Sequence, residues 1–291
     1  MSKFEKIDQL VILMANKGLR FMPATKVMAK EMFPIANKPA LLYHLIEAYK
    51  SGIKRVCLVI SKQKDYVKKF LAHDEALEEE MKKEGKFGLL KELNEIIDNM
   101  EFTFIYQGKK RGTGAALYYA KEWTNGKPFA FMYGDDFCKN NKKPVIGQLM
   151  KAYEKTGKTV VGAKQVPLDD ISKYSSIKIG KKLFDRCNEM IGIIEKPKKE
   201  EAPSNLSGMA RYVFTQEIFD EIPKCKPSAN GEVYLTDAIE RLAQKGRTVC
   251  FEFDGKYFDG GNKLEFIKCV IDNGLDDKEI ERNLREYLKS I

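Results

Sequence analysis

A basic loop behind an apolar run is the first part of the sequence that could do chemistry. Residues 10–14 (LVILM) have the composition of a buried strand, and Lys17, Arg20 and Lys26 follow within the next twelve residues. In an open parallel sheet, ligands bind beyond the C-terminal ends of strands, where N–H groups and cations can hold phosphate. The loop matches neither GxxxxGK[ST] nor GxGxxG. Its composition fits a phosphate-binding loop and a basic surface loop equally well, so composition alone does not decide between these two interpretations.

Two aspartates follow apolar stretches further along the chain. Asp135 comes after the run FAFMY at 129–133, and Asp259 comes after an aromatic pair. Two carboxylates that converge on phosphate oxygens form a Mg²⁺ site, with water or phosphate oxygens as the remaining ligands. A lone aspartate after a strand is also a common helix N-cap or turn residue. For Asp136 we prefer that second interpretation, or a supporting role.

The elements that must position these residues alternate between apolar runs and helical patterns, which is typical of βα units on a mostly parallel sheet. In the first half, strands are predicted over 10–14, 55–60, 101–106 and 128–133, and helices over 39–51, 63–72, 87–98 and 113–124. After residue 140 we predict a second sheet region, built from strands over 159–166, 176–179, 192–194, 209–215 and 248–253. Further helices are predicted over 144–155, 234–245, 262–273 and 278–289.

Composition and charge exclude several classes of protein. The chain has 291 residues, of which 43% are hydrophobic and 32% charged, as in ordinary globular proteins. With 51 Lys and Arg against 42 Asp and Glu, the net charge of +9 suggests an anionic partner. No apolar run approaches the ~20 residues of a transmembrane helix. The N-terminus lacks the apolar core of a signal peptide, so we predict a cytoplasmic protein without a membrane partner.

The residue types that mark metal sites and nucleic-acid modules are sparse or scattered. The six cysteines form no CxxC, so we expect reduced thiols and no zinc framework. His44 and His73 are the only histidines, which excludes histidine-rich metal sites and argues against a histidine-dependent triad. The lysines are dispersed and no nucleic-acid motif is present, so we predict no nucleic-acid partner. Residues 74–100, rich in Glu and Lys, predict a solvated helical insertion.

A series of motifs follows the basic loop in a fixed order. The loop itself reads Ala-x-x-Gly-x-Arg-x-x-Pro-Ala-Thr-Lys-x-x-x-Lys-Glu-Met-x-Pro from Ala15 onwards. The later motifs are Asn37-Lys38-Pro39, Gln107-Gly108 with Gly112-Thr113-Gly114, Gly134-Asp135-Asp136, Glu195-Lys196-Pro197, Ala202-Pro203-Ser204-Asn205-Leu206, Arg211-Tyr212, Gly231-Glu232 with Leu235-Thr236-Asp237-Ala238-Ile239, and Asp259 with Gly261-Asn262-Lys263. Together, over about residues 10–275, they resemble the sugar-1-phosphate nucleotidyltransferases, and among these the bacterial UTP–glucose-1-phosphate uridylyltransferases (UDP-glucose pyrophosphorylases).

The resemblance implies a fold and an activity. The fold is α/β, a Rossmann-like three-layer nucleotidyltransferase fold with a mixed, mostly parallel central sheet and a smaller second sheet region. The activity is transfer of UMP from UTP to α-D-glucose 1-phosphate, giving UDP-glucose and pyrophosphate, with Mg²⁺ as cofactor. Such chemistry needs no protein nucleophile, because it depends on positioning two anionic substrates and neutralising charge in the transition state.

Roles for single residues also come from the resemblance. It implies catalytic roles for Arg20, Lys30, Asp135 and Lys196, and metal ligation by Asp135 and Asp259. The nucleotide would be bound by Ala15, Gly18, Lys26, Glu31, Gln107 and Gly112. The sugar phosphate would be bound by Ser175, Glu195, Lys196 and Gly208.

The organisation of the chain is predicted on the same basis. We expect one nucleotidyltransferase domain over 1–291, in which 10–140 is mainly the nucleotide-binding half and 141–261 mainly the sugar-binding half. Residues 262–291 are expected to form C-terminal helices. The family implies a homo-oligomer, a dimer or tetramer. The amphipathic stretches within 262–288 are explained as well by packing inside the chain.

Several residues depart from the family pattern, among them Ala29, Ala115 and Gly260, where the family commonly has proline, histidine and cysteine. Asn16 replaces a glycine and Leu19 a threonine in the basic loop, and Ser175 and Ala210 replace glycines in the sugar half. Every charged position is kept, so the departures bear on substrate identity and rate more than on the type of reaction. Two alternatives stay open: the same chemistry on another nucleotide or sugar 1-phosphate, and a catalytically weak paralogue that binds a nucleotide sugar as a regulatory subunit.

Overall fold

The structure, a computed structural model, describes residues 4–291, so the first three residues of the N-terminal segment lie outside it. Its strands are β1 (Gln9–Leu13), β2 (Pro34–Ile35), β3 (Lys38–Pro39), β4 (Arg55–Ile60), β5 (Glu101–Tyr106), β6 (Phe129–Tyr133), β7 (Asp136–Lys139), β8 (Thr159–Gln165), β9 (Ser175–Phe184), β10 (Cys187–Glu195), β11 (Leu206–Phe214), β12 (Thr248–Glu252) and β13 (Lys256–Asp259). Its α-helices are α1 (Ala40–Lys50), α2 (Val67–Phe70), α3 (Glu75–Lys83), α4 (Lys91–Asn99), α5 (Thr113–Tyr118), α6 (Lys121–Thr124), α7 (Val145–Thr156), α8 (Ile218–Glu221), α9 (Leu235–Gln244), α10 (Lys263–Gly274) and α11 (Glu281–Ser290).

A nine-stranded sheet forms the centre of the fold, in the order β5-β4-β1-β6-β11-β8-β12-β10-β9. The neighbours β5, β4, β1 and β6 pair in parallel, as do β8 and β12. β11 and β10 are antiparallel to both of their neighbours, so the other seven strands all point the same way. This arrangement confirms the predicted mixed, mostly parallel α/β fold.

The strands predicted for the first half agree with β1, β4, β5 and β6 to within one residue at each end. The prediction that the later strands form a second sheet region is wrong for those strands, because β8 to β12 all belong to the same nine-stranded sheet. The separate small sheets pair β7 with β13 and β2 with β3. A buried strand pattern indicates that a strand exists, whereas its partner depends on contacts far along the chain.

Helices cover both faces of the sheet and make three layers. Alternate residues of β1 point to opposite faces, so Ile12 packs with Leu45 of α1 in one apolar cluster. Val11 lies in a second cluster with Leu117 of α5 and Leu242 of α9. Because β1 is covered on both faces, it is buried at all five positions. A strand in such a position has a nearly continuous apolar sequence, as residues 10–13 do.

The helical segments outside these layers are largely exposed. α3 buries no residue and α4 buries only Ile96, which confirms the predicted solvated insertion. The predicted helix over 63–72 is reduced to α2, after a 3₁₀ turn over Lys62–Lys64. The predicted helix over 113–124 is divided into α5 and α6. Across residues 4–291, no helix has the length and apolarity that crossing a membrane requires.

Candidate active site

The basic loop leaves β1 at the C-terminal edge of the parallel strands and is shaped by local hydrogen bonds. Gly18 has a left-handed φ of +65°, which glycine adopts without strain. Its N–H donates to Asn16 Oδ1 at 2.9 Å, and its carbonyl accepts from Thr25 Oγ1 at 2.8 Å. Asn16 therefore stabilises the turn through its side chain. Arg20 and Lys26 are exposed, and Lys26 bonds to none of the other candidate residues within 4–291.

The loop returns to the sheet through a 3₁₀ turn at Lys30–Met32, which buries two charged residues. Lys30 forms an ion pair with Asp135, and Glu31 forms one of 2.8 Å with Lys64. Burial raises the pKa of Glu31, although the charges of Lys64 and Lys30 oppose that shift. Burial likewise lowers the pKa of Lys64, although the charge and hydrogen bond of Glu31 oppose that shift. We refer to residues 14–31 as the β1 loop.

Two carboxylates meet Arg20 at the edge of the sheet. Asp135 follows β6, and Asp259 ends β13, where it accepts a 2.8 Å hydrogen bond from Gly261 N–H. Arg20 donates to the Gly261 carbonyl at 3.4 Å. A Cβ atom on Gly261 would lie 3.0 Å from Arg20 Nη1, 3.0 Å from Asp259 Oδ1 and 3.8 Å from Asp135 Oδ2. The three groups thus lie close to one another beside Gly261, where a side chain would crowd Arg20 and Asp259.

These carboxylates fit a magnesium ion that takes its other ligands from substrate or water. Hard carboxylate oxygens suit Mg²⁺, which in phosphate sites is bound by one or two carboxylates. No group of three or more His, Cys, Asp or Glu residues suited to a metal occurs within 4–291. Asp136 accepts from Tyr257 Oη at 3.0 Å, and burial together with the charges of Asp135 and Asp259 raises its pKa well above the usual value. That environment agrees with a supporting role for Asp136.

A buried polar cluster supports the chain on either side of Asp135. Arg211 is fully buried and donates to Glu47 Oε2 at 2.8 Å and to the Asp136 carbonyl at 3.1 Å. His44 Nε2 donates to the Gly134 carbonyl at 2.9 Å, while its Nδ1 accepts from Arg211 at 3.1 Å. Burial, and then the charge of Arg211, lower the pKa of His44 to about 3. The ring is therefore neutral, and it fixes the residue that precedes Asp135.

The second glycine-rich loop lies at the end of β5. Gln107 N–H donates to the Ile60 carbonyl at 2.9 Å, which continues the pairing of β5 with β4. Gly112 has φ +99°, and a Cβ there would lie 2.3 Å from the Val233 carbonyl oxygen. Only glycine permits that close approach. The loop is held further because Leu235 N–H donates to Thr113 Oγ1 at 3.0 Å.

The four predicted sugar-binding residues lie together at the ends of β9, β10 and β11. Ser175 and Glu195 are opposite each other in the antiparallel pair. Ser175 Oγ accepts from Gly208 N–H at 3.2 Å, so its hydroxyl is already engaged. Lys196 is exposed, and its N–H donates to the Tyr174 carbonyl at 2.9 Å. Glu195 Oε2 accepts from Thr236 Oγ1 at 2.7 Å.

The sequence pattern of the family described as Nucleotidyl transferase matches residues 9–272. The chain belongs to this family. A relative from Staphylococcus epidermidis named UTP–glucose-1-phosphate uridylyltransferase is 38% identical over 287 residues, 99% of each chain. The predicted membership of an enzyme family, and the likeness to these uridylyltransferases, are thereby confirmed.

Solved structures agree with this nucleotidyl transferase over most of its length. The structure described as UTP-bound UGPase from Acinetobacter baumannii has a TM-score of 0.89 at 27% identity, over 98% of this chain and 99% of that one. The structure described as UDP-glucose pyrophosphorylase complexed with UDP-glucose has a TM-score of 0.85 at 29% identity, over 93% and 100%.

Sequence reasoning missed several residues that this nucleotidyl transferase uses to hold its candidate site. Lys64 was not singled out, and Arg211 and Thr236 entered only as parts of motifs. A charged residue inside the apolar strand β11 was a signal for Arg211, because buried arginine must be paired. For Lys64 the signal was its place just after β4, at the same edge as the β1 loop. For Thr236 the sequence offers no comparable signal.

Two departures from the family pattern have visible structural effects in the nucleotidyl transferase. Ala210 is buried and has φ +52°, a conformation that costs a residue with a side chain more than it costs glycine. Leu19 is 67% exposed on the β1 loop, where it offers no hydroxyl to a ligand.

Proposed function

We propose that this nucleotidyl transferase transfers UMP from UTP to α-D-glucose 1-phosphate and releases pyrophosphate. The observation that carries the proposal is that Arg20, Asp135 and Asp259 lie together around Gly261, beside the ion pair of Lys30 and Asp135. Cations and hard carboxylates at one sheet edge suit phosphoryl chemistry. The similarity to a uridylyltransferase over 99% of both chains supports the choice of substrates.

In the proposed reaction an oxygen of the sugar phosphate attacks the α-phosphorus of UTP. A new P–O bond forms, and the bond to the oxygen that bridges to the β-phosphate breaks, so pyrophosphate leaves with that electron pair. We assign Arg20 and Lys30 to the triphosphate and the departing pyrophosphate, with Lys26 as a further cation of the β1 loop. Lys196 is assigned to the phosphate of the sugar, and its charge helps to align the attack.

We assign Asp135 and Asp259 as the ligands of Mg²⁺. Both carboxylates lie near Gly261, and two carboxylate ligands leave coordination positions of this ion for phosphate oxygens and water. When bound, Mg²⁺ supplies charge neutralisation on the phosphate oxygens. Arg20 and Lys30 bring positive charge to the same edge, so the chain itself contributes part of that neutralisation.

The remaining assignments concern the nucleoside and the sugar. The Gln107 amide, with a donor and an acceptor, is suited to the imide edge of uracil. The backbone at Ala15, Gly18 and Gly112 is assigned to close contacts with the nucleotide, with Glu31 beside them. In the sugar pocket Glu195 is assigned to hydroxyl groups, with Ser175 and Gly208 forming the wall next to it.

We further propose a cytoplasmic protein that acts as one domain and as a homo-oligomer, a dimer or tetramer. In that domain 10–140 serves mainly the nucleotide, 141–261 mainly the sugar, and 262–291 the C-terminal helices. The apolar side chains of Leu264, Ile267 and Tyr287, each more than half exposed, support self-association through these helices. Neither nucleic acid nor membrane is proposed as a partner.

The test is pyrophosphate release by the purified protein with Mg²⁺, UTP and glucose 1-phosphate. Other nucleoside triphosphates and sugar 1-phosphates serve as controls. We expect turnover with this pair well above that with every other pair. Higher turnover with another pair would overturn the proposed substrates, while the proposed type of reaction would stand. No release with any pair, while UDP-glucose still binds, would overturn the proposal in favour of a regulatory paralogue.

A further inference from the structure

A short turn after β4 holds the β1 loop at both ends. Lys64, in the 3₁₀ turn Lys62–Lys64, donates to the Met14 carbonyl at 2.5 Å and to Glu31 Oε2 at 2.8 Å. Tyr66, two residues later, accepts a hydrogen bond from the N–H of Ala29 on its hydroxyl. Lys64 and Tyr66 therefore contact the first residue of the β1 loop and, at its other end, Ala29 and Glu31.

The middle of the β1 loop is held at a few points, by the hydrogen bonds of Gly18 and by the packing of Phe21 against Phe33 and Phe266. Leu19 is 67% exposed and Val27 80% exposed, and the loop has only 3₁₀ turns between its ends. The geometry of Gly18 and Arg20 therefore depends on where the two ends of the loop are fixed as well as on these local contacts. A loop that must be ordered when a ligand arrives binds it more weakly than a loop that is already ordered.

The Lys64 side chain is 8% exposed and that of Glu31 1% exposed. Burying two charged groups is costly, and an apolar pair of similar volume is often as stable. Here the ammonium group also satisfies the Met14 carbonyl, which lies where β1 ends. The contacts of Lys64 thus join the two ends of the loop to each other, a task that no apolar side chain performs.

We propose that Lys64 is a positioning residue for the nucleotide, which acts by fixing both ends of the β1 loop before the nucleotide binds. The inference rests on the proposed function, because the β1 loop is assigned there to UTP. Without Lys64 the loop must be ordered when UTP binds, so the KM for UTP rises. The sugar pocket lies at other strand ends, so the KM for glucose 1-phosphate and the kcat at saturating UTP change little.

The experiment compares Lys64→Met with Lys64→Arg and with Lys62→Met. Lys62 belongs to the same turn but is exposed and forms no ion pair within residues 4–291, so it is the matched control. For Lys64→Met we expect the KM for UTP to rise about tenfold or more, as for loss of hydrogen bonds to a charged group. Lys64→Arg, which keeps a cationic donor, should recover part of the affinity, and Lys62→Met should match the wild type.

Limited trypsin digestion gives a second readout that does not depend on activity. Lys17, Arg20 and Lys26 are exposed cleavage sites inside the β1 loop. In Lys64→Met, cleavage at these sites should be several-fold faster than in the wild type and in Lys62→Met, with cleavage elsewhere unchanged. Tyr66→Phe removes only a hydroxyl at the other contact, and it should show the same two effects in weaker form even if Lys64→Met fails to fold.

Three results would overturn the inference. The first is an equal KM for UTP in Lys64→Met and Lys62→Met. The second is an equal increase, in Lys64→Met, of the KM for UTP and the KM for glucose 1-phosphate, and the third is unchanged trypsin cleavage of the β1 loop in Lys64→Met. If the folded Tyr66→Phe is the only variant available, wild-type behaviour in both assays would overturn it as well. Failure of the proposed function is distinguishable, because the wild type would then release no pyrophosphate, whereas the trypsin comparison would still report on the loop.

Discussion

Thr236 donates a hydrogen bond of 2.7 Å to the carboxylate of Glu195, which lies 41 residues earlier in the chain. The neighbouring Leu235 N–H donates to Thr113 in the second glycine-rich loop. The first turn of α9 therefore contacts both a loop assigned to the nucleotide and a carboxylate assigned to the sugar. The hydrogen bond from Thr236 orients the Glu195 carboxylate, and a substitution at Thr236 can test that role.

Replacing Thr236 with valine keeps the shape of the side chain and removes the hydroxyl. We expect the KM for glucose 1-phosphate to rise about tenfold, because a hydrogen bond to a charged group contributes ~1.5 kcal/mol or more. The KM for UTP should change less than twofold, roughly the scatter of such measurements. Steady-state pyrophosphate release with each substrate varied in turn measures both.

Thr236→Ser is the matched control, because it keeps the hydroxyl and loses only a methyl group. It should remain close to the wild type in both KM values. If the serine variant were as impaired as the valine variant, the methyl packing rather than the hydrogen bond would be the cause.

The two proposed metal ligands should control the magnesium requirement. Asp135→Asn and Asp259→Asn each remove one carboxylate charge from the pair that lies near Arg20 and Gly261. We expect turnover to fall by ~100-fold or more and the Mg²⁺ concentration for half-maximal rate to rise, since a metal supplies several kcal/mol of charge stabilisation. Magnesium titrations of the initial rate measure both effects. Asp169→Asn, on an exposed carboxylate paired with Lys199, should leave them unchanged.

The buried His44 should make the protein sensitive to acid. Its folded pKa is lowered to about 3 from 6.5, by burial first and then by Arg211, so the unfolded state binds the extra proton between these values. Stability therefore falls as the pH falls from about 6.5 towards 3, by ~2 kcal/mol from this group at pH 5. His44→Gln can make similar hydrogen bonds without titrating, so urea unfolding from pH 7.5 to 5 should show a shallower decline.

His73 provides the control, since it is the other histidine of the chain. It is exposed between Glu78 and Asp98, whose hydrogen bonds raise its pKa. A raised pKa contributes stability at low pH that disappears as the pH rises, which is the opposite sign. His73→Gln should therefore not reduce the loss of stability at low pH. If the free energy of unfolding declined with pH as steeply in His44→Gln as in the wild type, this account would be contradicted.

Glu221 should contribute to stability at neutral pH. Its buried carboxylate accepts from Lys224, Arg241 and Lys245, and these hydrogen bonds outweigh burial and lower its pKa to about 2 from 4.5. The contribution is present above about pH 4.5 and is lost as the pH falls towards 2. Glu221→Gln should lower the free energy of unfolding by ~2 kcal/mol at pH 7 and by less at pH 3. Urea unfolding at both pH values measures the difference.

The more exposed Glu217, which pairs with Arg247, is the comparison for Glu221. Glu217→Gln should cost less than ~1 kcal/mol at pH 7, as is usual for surface pairs. A loss for Glu217→Gln as large as that for Glu221→Gln would show that burial is not what distinguishes the two.

Much of the local structure follows from the sequence. The predicted strand 55–60 coincides with β4, because a strand covered on both faces needs a continuous apolar run. The predicted strand 101–106 coincides with β5, a half-exposed edge strand whose aromatic and β-branched residues favour extended structure. The loop that follows β1 and the aspartate that follows β6 were found by the same reasoning, since residues directly after parallel strands share one edge of the sheet.

The pairing of the later strands could not be predicted in this way. β8 is hydrogen-bonded to β11 and β12, and all three belong to the central sheet rather than to a second one. Short apolar runs give no information about the strand that will lie beside them. That choice depends on which helices cover the sheet and on loop lengths, which are properties of the whole chain.

The sequence alone determined the family motifs, the positions of most strands and helices, and which charged residues are candidates for binding phosphate. The tertiary structure decided which residues hold those charges in place. Lys64 meets Glu31 across 33 residues, Thr236 meets Glu195 across 41, and Arg211 meets His44 across 167. Periodicity and turn chemistry report on neighbours along the chain. A buried polar contact forms instead wherever packing brings two distant groups together without water, because each must then find its partner in the protein.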